Sequence, residues 1–395
     1  DVTREFLIND AGNQIEKFGL SLEARYMQIF DKDYPFDEKF YQGADIIARA
    51  KEFYDIHGDS YKDKPLDERK QALIDYALPK NIADMKKHLE KYRIKYDVWF
   101  SEQEMRNRGD VDKAIAKLTE NGYTYEKDGA LWYKGTALGE EKDEVLVRAN
   151  GISTYFAADI AYHYDKLVTR NFKKAIDIWG ADHHGHVARL KGALDALGLN
   201  GSERLDIVLM QLVKLLRDGE VVRMSKRTGK AISLHDLLDE VPVDAARWYF
   251  NAKPDTQMEF DLGLAVREDS ENPIYYVQYA HARICSLLRA LETDGVTVPE
   301  TADLSLLSGE AEKALIKQIA QYCEEIKLAA RDYDPSHINR CLQELAGCFH
   351  RFYTSCRIRG EEPAVAEARM KLADDTRIVL KNGLRLIGVD APEKM

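Results

Sequence analysis

The sequence predicts an α/β domain followed by an all-α domain, and three observations carry that prediction. Over residues 155–217 helical and strand patterns alternate. A helical pattern at 155–167 leads to the apolar run Ala175-Ile176-Asp177-Ile178-Trp179, then to a helical pattern at 186–197 and β-prone residues from Ile207 onward. Strand, glycine-containing turn, helix and strand make half of a doubly wound sheet. Beyond Pro273 the alternation stops, and four long amphipathic stretches (274–291, 308–333, 336–358, 364–387) predict a helical bundle. Between Pro35 and about Thr119 the pattern is helical and highly charged, which fits neither part and reads as an insertion.

Taken in order, residues 2–8 are β-prone, 9–14 carry turn chemistry, and 15–29 form an amphipathic helix that Asn9 or Asp10 could cap, worth about 1 kcal/mol. The run 62–70 is expected to be a solvated connection, and 96–100 to be the one strand of the charged region. Three short strands at 123–125, 130–134 and 144–148, parted by Asp128-Gly129 and Gly139, predict a small antiparallel patch. Asp218-Gly219 predicts a tight turn, and 243–251 a further helix.

The totals narrow the function. With 395 residues, 45% apolar and 32% charged, the chain has room for two or three domains and contains no apolar run of membrane-spanning length. A net charge of −11 argues against a generally basic nucleic-acid binder, so any RNA contact must be local. The bundle is the exception: from Asn272 onward 16 Lys and Arg meet 18 Asp and Glu. Five Cys without a Cys-x-x-Cys pair read as free thiols of a reducing compartment. The chain opens on Asp1, directly into the predicted strand, which suggests a truncated protein.

Four places could carry chemistry. The loop Arg223-Met224-Ser225-Lys226-Arg227-Thr228-Gly229-Lys230 puts four cations in eight positions, which suits a clamp on phosphate oxygens, although a solvated basic loop would look the same. Tyr155 and Asp159, four apart on a predicted helix, share one face and could hold a guanidinium, although an ordinary surface pair has the same spacing. The run Asp182-His183-His184-Gly185-His186 lacks plausible zinc geometry and has no Ser or Cys nucleophile. It reads better as a nucleotide or substrate rim after a strand. In the bundle, His350-Arg351-Phe352-Tyr353 and Arg357-Ile358-Arg359 interleave aromatics with cations, as recognition of unpaired RNA bases requires, although core aromatics beside surface Arg on a helix give the same pattern.

Met224-Ser225-Lys226 resembles the Lys-Met-Ser-Lys-Ser loop of class I aminoacyl-tRNA synthetases. Further blocks bring the resemblance to the bacterial arginyl-tRNA synthetases, among them Val2 through Gln14, Lys95-Tyr96-Asp97-Val98-Trp99, Thr154 through Tyr162, Trp179 through Gly185, Asp244-Ala245-Ala246-Arg247 and Asn272 through Arg283. The resemblance implies a partial Rossmann-type catalytic domain (1–34 and 151–241) interrupted by a connective insertion (35–150). A helical junction (242–271) and a helical-bundle anticodon-binding domain (272–395) would follow.

It also implies roles. Glu102, Tyr155, Asp159 and His183 would bind arginine; Gly180, Asp182, His186, Met224, Ser225 and Lys226 would bind ATP; Lys226 and Arg223 would act catalytically. Arg223 stands where the signature's first Lys would be, and Arg227 replaces its final Ser. Tyr276, Tyr279, Arg351, Tyr353 and Arg357 would contact tRNA. ATP and Mg2+ would be used without a tightly bound cofactor or resident metal. The partners would be L-arginine and tRNA-Arg, with no membrane, in a cytoplasmic monomer. The family's other signature, His-x-Gly-His, belongs in the first strand–helix turn and is not found there; His183-His184-Gly185-His186 lies too late. The polypeptide as it stands is therefore expected not to activate arginine. The alternative is a tRNA- or arginine-binding module without ligase activity.

Overall fold

A computed structural model describes residues 1–217, 219–222, 232–252 and 258–395. The basic loop at 223–230, with Arg223, Met224, Ser225 and Lys226, lies outside the described residues, as does Asp218 of the predicted turn. The chain forms two compact units. One holds 1–90, 94–178 and 182–207; the other holds 91–93, 179–181 and 208–395.

The first unit starts with β1 (Glu5–Ile8) and α1 (Asn13–Met27). Gly12 precedes α1 at φ 73, a left-handed conformation that glycine adopts freely. No side chain caps the helix: neither Asn9 nor Asp10 plays the expected part. Next come α2 (Ala44–His57), α3 (Leu66–Lys91) and β2 (Val98–Ser101). Leu22, Tyr26, Ile46, Ala50, Phe53, Leu73 and Ala77 form the core of α1–α3. Against expectation, only part of 62–70 is a connection, because α3 begins at Leu66. Asp67 and Glu68 favour the positive end of its dipole. Lys70 packs close to Gly19 and pairs with Glu16 at 2.6 Å, so it belongs to the packed face. Within the stretch expected to be an insertion, β2 pairs in parallel with β1, Glu5 opposite Val98 and Ile8 opposite Ser101.

The short helices α4 (Glu102–Asn107) and α5 (Asp110–Glu120) lead to an antiparallel sheet of β3 (Thr124–Lys127), β4 (Ala130–Tyr133) and β5 (Glu144–Val147), in that order. Asp128 and Gly129, at φ 53 and 73, make the two-residue hairpin between β3 and β4. Next is α6 (Tyr155–Tyr164), which runs into a π-turn at Asp165–Thr169. β6 (Ala175–Gly180) follows, then a 3₁₀ turn (Ala181–His183), α7 (His184–Ala196), the one-turn helix α8 (Gly201–Arg204) and β7 (Leu205–Met210). β6 pairs with β7, the α/β alternation expected from the sequence.

In the second unit, β8 (Lys214–Arg217) lies between β9 (Glu220–Val221), which is antiparallel to it, and the parallel β10 (Glu259–Asp261). Gly219, at φ 81, stands between β8 and β9. The helices α9 (Leu234–Glu240), capped by a Ser233–Asp236 box, α10 (Val243–Ala252) and α11 (Leu262–Ala265) precede the bundle. The bundle consists of α12 (Pro273–Thr293), α13 (Glu310–Asp332), α14 (Ser336–Ser355) and α15 (Pro363–Leu386). Its core runs from Trp248 and Phe260 through Val277, Ile284, Leu342, Phe349 and Phe352 to Leu380 and Leu384. α14 ends three residues earlier than expected. The chain turns extended at Cys356, and Ile358 is buried in the core beyond the helix end. No helix among the described residues is long and apolar enough to cross a membrane.

Candidate active site

In the first unit, hydrogen bonds join residues that the sequence keeps far apart. Asp10 does its work across the parallel pair β1–β2: Ser101 Oγ donates to its Oδ2 at 2.6 Å, and the Gln103 amide donates to Oδ1 at 2.8 Å. Ser101 Oγ also accepts the Glu104 amide as the cap of α4. These bonds fix the strand–helix turn that presents Glu102, a residue only 5% exposed. One of its oxygens, Oε1, accepts from Arg106 Nε at 2.8 Å and lies 2.7 Å from Nη2 in an ion pair. Arg106 Nη1 reaches on to Ser153 Oγ at 2.8 Å.

Ser153 is next to Thr154, whose hydroxyl caps α6 by accepting the Ala157 amide and is tied to β5 by donating to the Val145 carbonyl at 2.8 Å. Tyr155, the first residue of α6, is half exposed, with its hydroxyl beside Gly12. One turn on, Asp159 Oδ2 lies 2.9 Å from His186 Nε2 on α7. The structure thus brings Tyr155, Asp159 and His186 together, and joins Glu102 to the start of α6 through Arg106. Under α6, His163 and Asp177 are buried. The ring places Nδ1 2.8 Å from the Asp159 carbonyl and Nε2 2.7 Å from Asp177 Oδ2, while Lys166 Nζ donates to Asp177 Oδ1 at 2.9 Å. Burial alone would raise the Asp177 carboxyl, but His163 and Lys166 hold it well below the usual carboxylate range.

Gly180, Asp182 and His183 lie at the carboxyl end of β6, where ligands of open α/β sheets bind. Asp182 and His183 are exposed, 3.7 Å apart, and Gly185 has open space where a Cβ would be. Among the described residues no group of three His, Cys, Asp or Glu could hold a metal ion.

The bundle carries a second cluster. His350 on α14 lies 4.7 Å from the Tyr276 ring and 5.9 Å from Tyr279, with which it stacks. Tyr275 and Tyr279 stack with planes 8° apart. Arg283 lies 4.1 Å over Tyr353 and 5.6 Å over Tyr279. Arg351 and Tyr276 both approach Gly347. Tyr276, Tyr279, Arg351 and Tyr353 are therefore neighbours. Arg357 is not brought to them: it lies exposed past the end of α14, and its carbonyl accepts from Arg369. Burial holds the His350 imidazole below its ordinary range, and its Nε2 has no hydrogen-bond partner among the described residues.

Residues 4–289 match the catalytic-domain model of the class I (R) tRNA synthetases, and 277–395 match the DALR anticodon-binding domain. The chain is 57% identical to the arginine–tRNA ligase of Caldanaerobacter subterraneus subsp. tengcongensis, with 100% of the chain and 71% of the relative covered. The chain belongs to the arginine–tRNA ligase family. It is also 53% identical to the arginine–tRNA ligase of Ruminiclostridium cellulolyticum, again over 100% of the chain and 71% of the relative. A solved Campylobacter jejuni structure assigned as an arginyl-tRNA synthetase superposes with a TM-score of 0.89 at 34% identity, covering 100% of this chain and 85% of that one. The Thermus thermophilus arginyl-tRNA synthetase, at 20% identity and a TM-score of 0.77, shares the fold, with 100% of this chain and 76% of that one covered.

In this arginine–tRNA ligase chain, sequence reasoning missed Arg106, Ser153 and His163. Arg106 sits four residues after Glu102, an ordinary helix-surface spacing, so nothing marked it as more than a solvated pair. His350 and Arg283 lie far apart in the sequence, and their meeting across α12 and α14 has no local signal.

Proposed function

We propose that this chain binds substrate arginine between Glu102, Tyr155 and Asp159 while the family's reaction runs: ATP-dependent activation of L-arginine and its transfer to tRNA-Arg. Two carboxylates supply acceptor oxygens, and the Tyr155 phenol a further one, for a ligand with five donors in a planar fork. The observation that carries the reading is Asp159. It is one third exposed in side-chain terms, and one of its oxygens is engaged by His186. It projects from a helix capped by Thr154 and backed by buried His163.

The arginine carboxylate attacks the α-phosphorus of ATP in line, forming arginyl-adenylate as the bond to pyrophosphate breaks. A ribose hydroxyl at the tRNA end then attacks the activated carbonyl, and AMP leaves with the bonding electrons. Neither step uses a protein nucleophile, so positioning and charge neutralisation carry the catalysis. We assign Gly180, Asp182 and the amino-terminal turn of α7 to the nucleotide, His183 to the substrate between them, and Arg223 through Lys226 to its phosphates. Mg2+ enters with ATP, whose phosphate oxygens are the hard ligands it takes. Tyr276, Tyr279, Arg351 and Tyr353 offer aromatic faces and cations to unpaired tRNA bases. We further infer a monomer working in the cytoplasm, where its tRNA partner is.

The test is Asp159→Ala in the full-length enzyme. Removing one partner of a charged hydrogen bond costs about 2–5 kcal/mol, so the arginine KM should rise about 30-fold or more. The ATP and tRNA KM values should stay within about twofold. An unchanged arginine KM would sink the reading.

A further inference from the structure

The two carboxylates assigned to arginine are each half engaged, and the engagement of Glu102 is unusual. An arginine–carboxylate pair commonly forms two parallel bonds that consume both oxygens. Here Arg106 Nε donates to Oε1, and Nη2 lies 2.7 Å from the same oxygen. Oε2 accepts no hydrogen bond from the described residues. The third arm of the same guanidinium, Nη1, holds Ser153 two residues before Tyr155. One side chain thus fixes the carboxylate and anchors the approach to α6.

We propose that Arg106 is a positioning residue that sets specificity for arginine: it orients Glu102 so that Oε2 alone faces the ligand guanidinium, and it locks that oxygen in register with Tyr155. The proposal rests on the reading of Glu102 and Asp159 as partners of the substrate. As charges, Glu102 and Arg106 cancel. Glu102 therefore contributes a fixed acceptor, while Asp159 contributes the negative charge that a cationic ligand neutralises. A neutral ureido analogue such as citrulline turns a carbonyl oxygen where arginine has an N–H group. Against a fixed acceptor that oxygen is repelled; against a swinging carboxylate it is accommodated. Rejection of a ligand that leaves built-in polar groups unpaired is the strong form of discrimination.

The experiment measures arginine, ATP and tRNA KM values, and the arginine-to-citrulline ratio of kcat/KM in pyrophosphate exchange, for the full-length enzyme. Variants are Arg106→Ala, Arg106→Lys and Ser153→Ala, with Glu102→Gln and Asp159→Asn as controls. Arg106→Ala should raise the arginine KM about tenfold and lower the discrimination ratio by a similar factor, with ATP and tRNA KM unchanged. Arg106→Lys should restore part of both effects. Ser153→Ala, which removes only one arm and spares the buried pair, should show a smaller shift in the same direction and serves if Arg106→Ala does not fold. If the Arg106 and Ser153 variants keep the wild-type arginine KM and ratio while Glu102→Gln raises the KM, positioning by Arg106 is overturned. A uniform rise in all three KM values overturns it too, as general damage. If Glu102→Gln and Asp159→Asn both leave the arginine KM unchanged, the assignment of the pocket falls instead.

Discussion

Asp177 shows how a buried carboxylate can serve the site without facing it. Its oxygens are divided between His163 and Lys166, and its folded-state pKa lies below that of the unfolded chain. Ionisation therefore favours the folded state. That stabilisation is complete above the ordinary aspartate range, near pH 3.9, and is lost as pH falls through that range towards the folded value. Asp177→Asn should lower the unfolding free energy at neutral pH by about 3 kcal/mol, because it takes the carboxylate partner from the Lys166 ammonium and from the buried His163 ring. Urea midpoints taken down to about pH 3 should show the gap to wild type closing in acid. A gap that stays constant would mean that the charge is not what holds the cluster. None of this was legible beforehand: His163 and Asp177 each sit within apolar patterns that announce a helix and a strand. Tyr155 and Asp159 were legible, since helical spacing alone puts them on one face. The resemblance assigns His186 to ATP, and only the folded α6–α7 arrangement puts it against Asp159.

The elements that present these residues depend on their ends. Thr154 caps α6 and bonds β5 with a single hydroxyl. Thr154→Ala should cost about 1 kcal/mol, seen as a lower melting temperature, and should raise the arginine KM with it, because the first turn carries Tyr155. A lost melting temperature with an unchanged arginine KM would separate the cap from the pocket. In the second unit, Gly388 ends α15 at φ +71, and a Cβ there would lie 2.4 Å from Arg247 Nε. Arg247 bonds the carbonyls of Ile387 and Tyr92 at 2.9 Å each. Gly388→Ala should therefore destabilise by about 2 kcal/mol, through both backbone strain and displaced Arg247; denaturant unfolding would register it. Element types were largely readable, because apolar spacing distinguishes helix from strand over long stretches. The ends were less so. Composition at 62–70 looks like a linker, but Lys70 is held by Glu16 and by the close approach at Gly19. Arg357-Ile358-Arg359 fits a helical face, but Ile358 is buried only after the helix has ended.

For the whole molecule the assigned tasks fall on different units: arginine residues on the first, the tyrosine–histidine cluster on the second. Tyr279→Ala should raise the tRNA KM about tenfold, the value of about one stacked base, and leave the arginine KM alone. Asp159→Ala should do the reverse. Combined, the two should add within about 0.5 kcal/mol in kcat/KM, as independent sites do. A strong departure from additivity would show that the two sites are energetically linked. The order of α/β and helical parts was readable from periodicity. The parallel pairing of β2 with β1 was not, since their register is fixed by residues almost a hundred positions apart.

Both family matches cover 277–289, so α12 is common property of the two. Val277, Ala280, Ile284 and Leu291 of this helix are buried, while Tyr275, Tyr279 and Arg283 follow one another at four-residue steps along another side. Inserting a single residue would turn everything after it by about 100° around the axis. Point changes on the outer side leave the helix's phase intact, but a one-residue insertion or deletion would put core residues where the tyrosines now lie and tyrosines in the core. Across descendants of this sequence, α12 should tolerate variation in letters far more readily than variation in length.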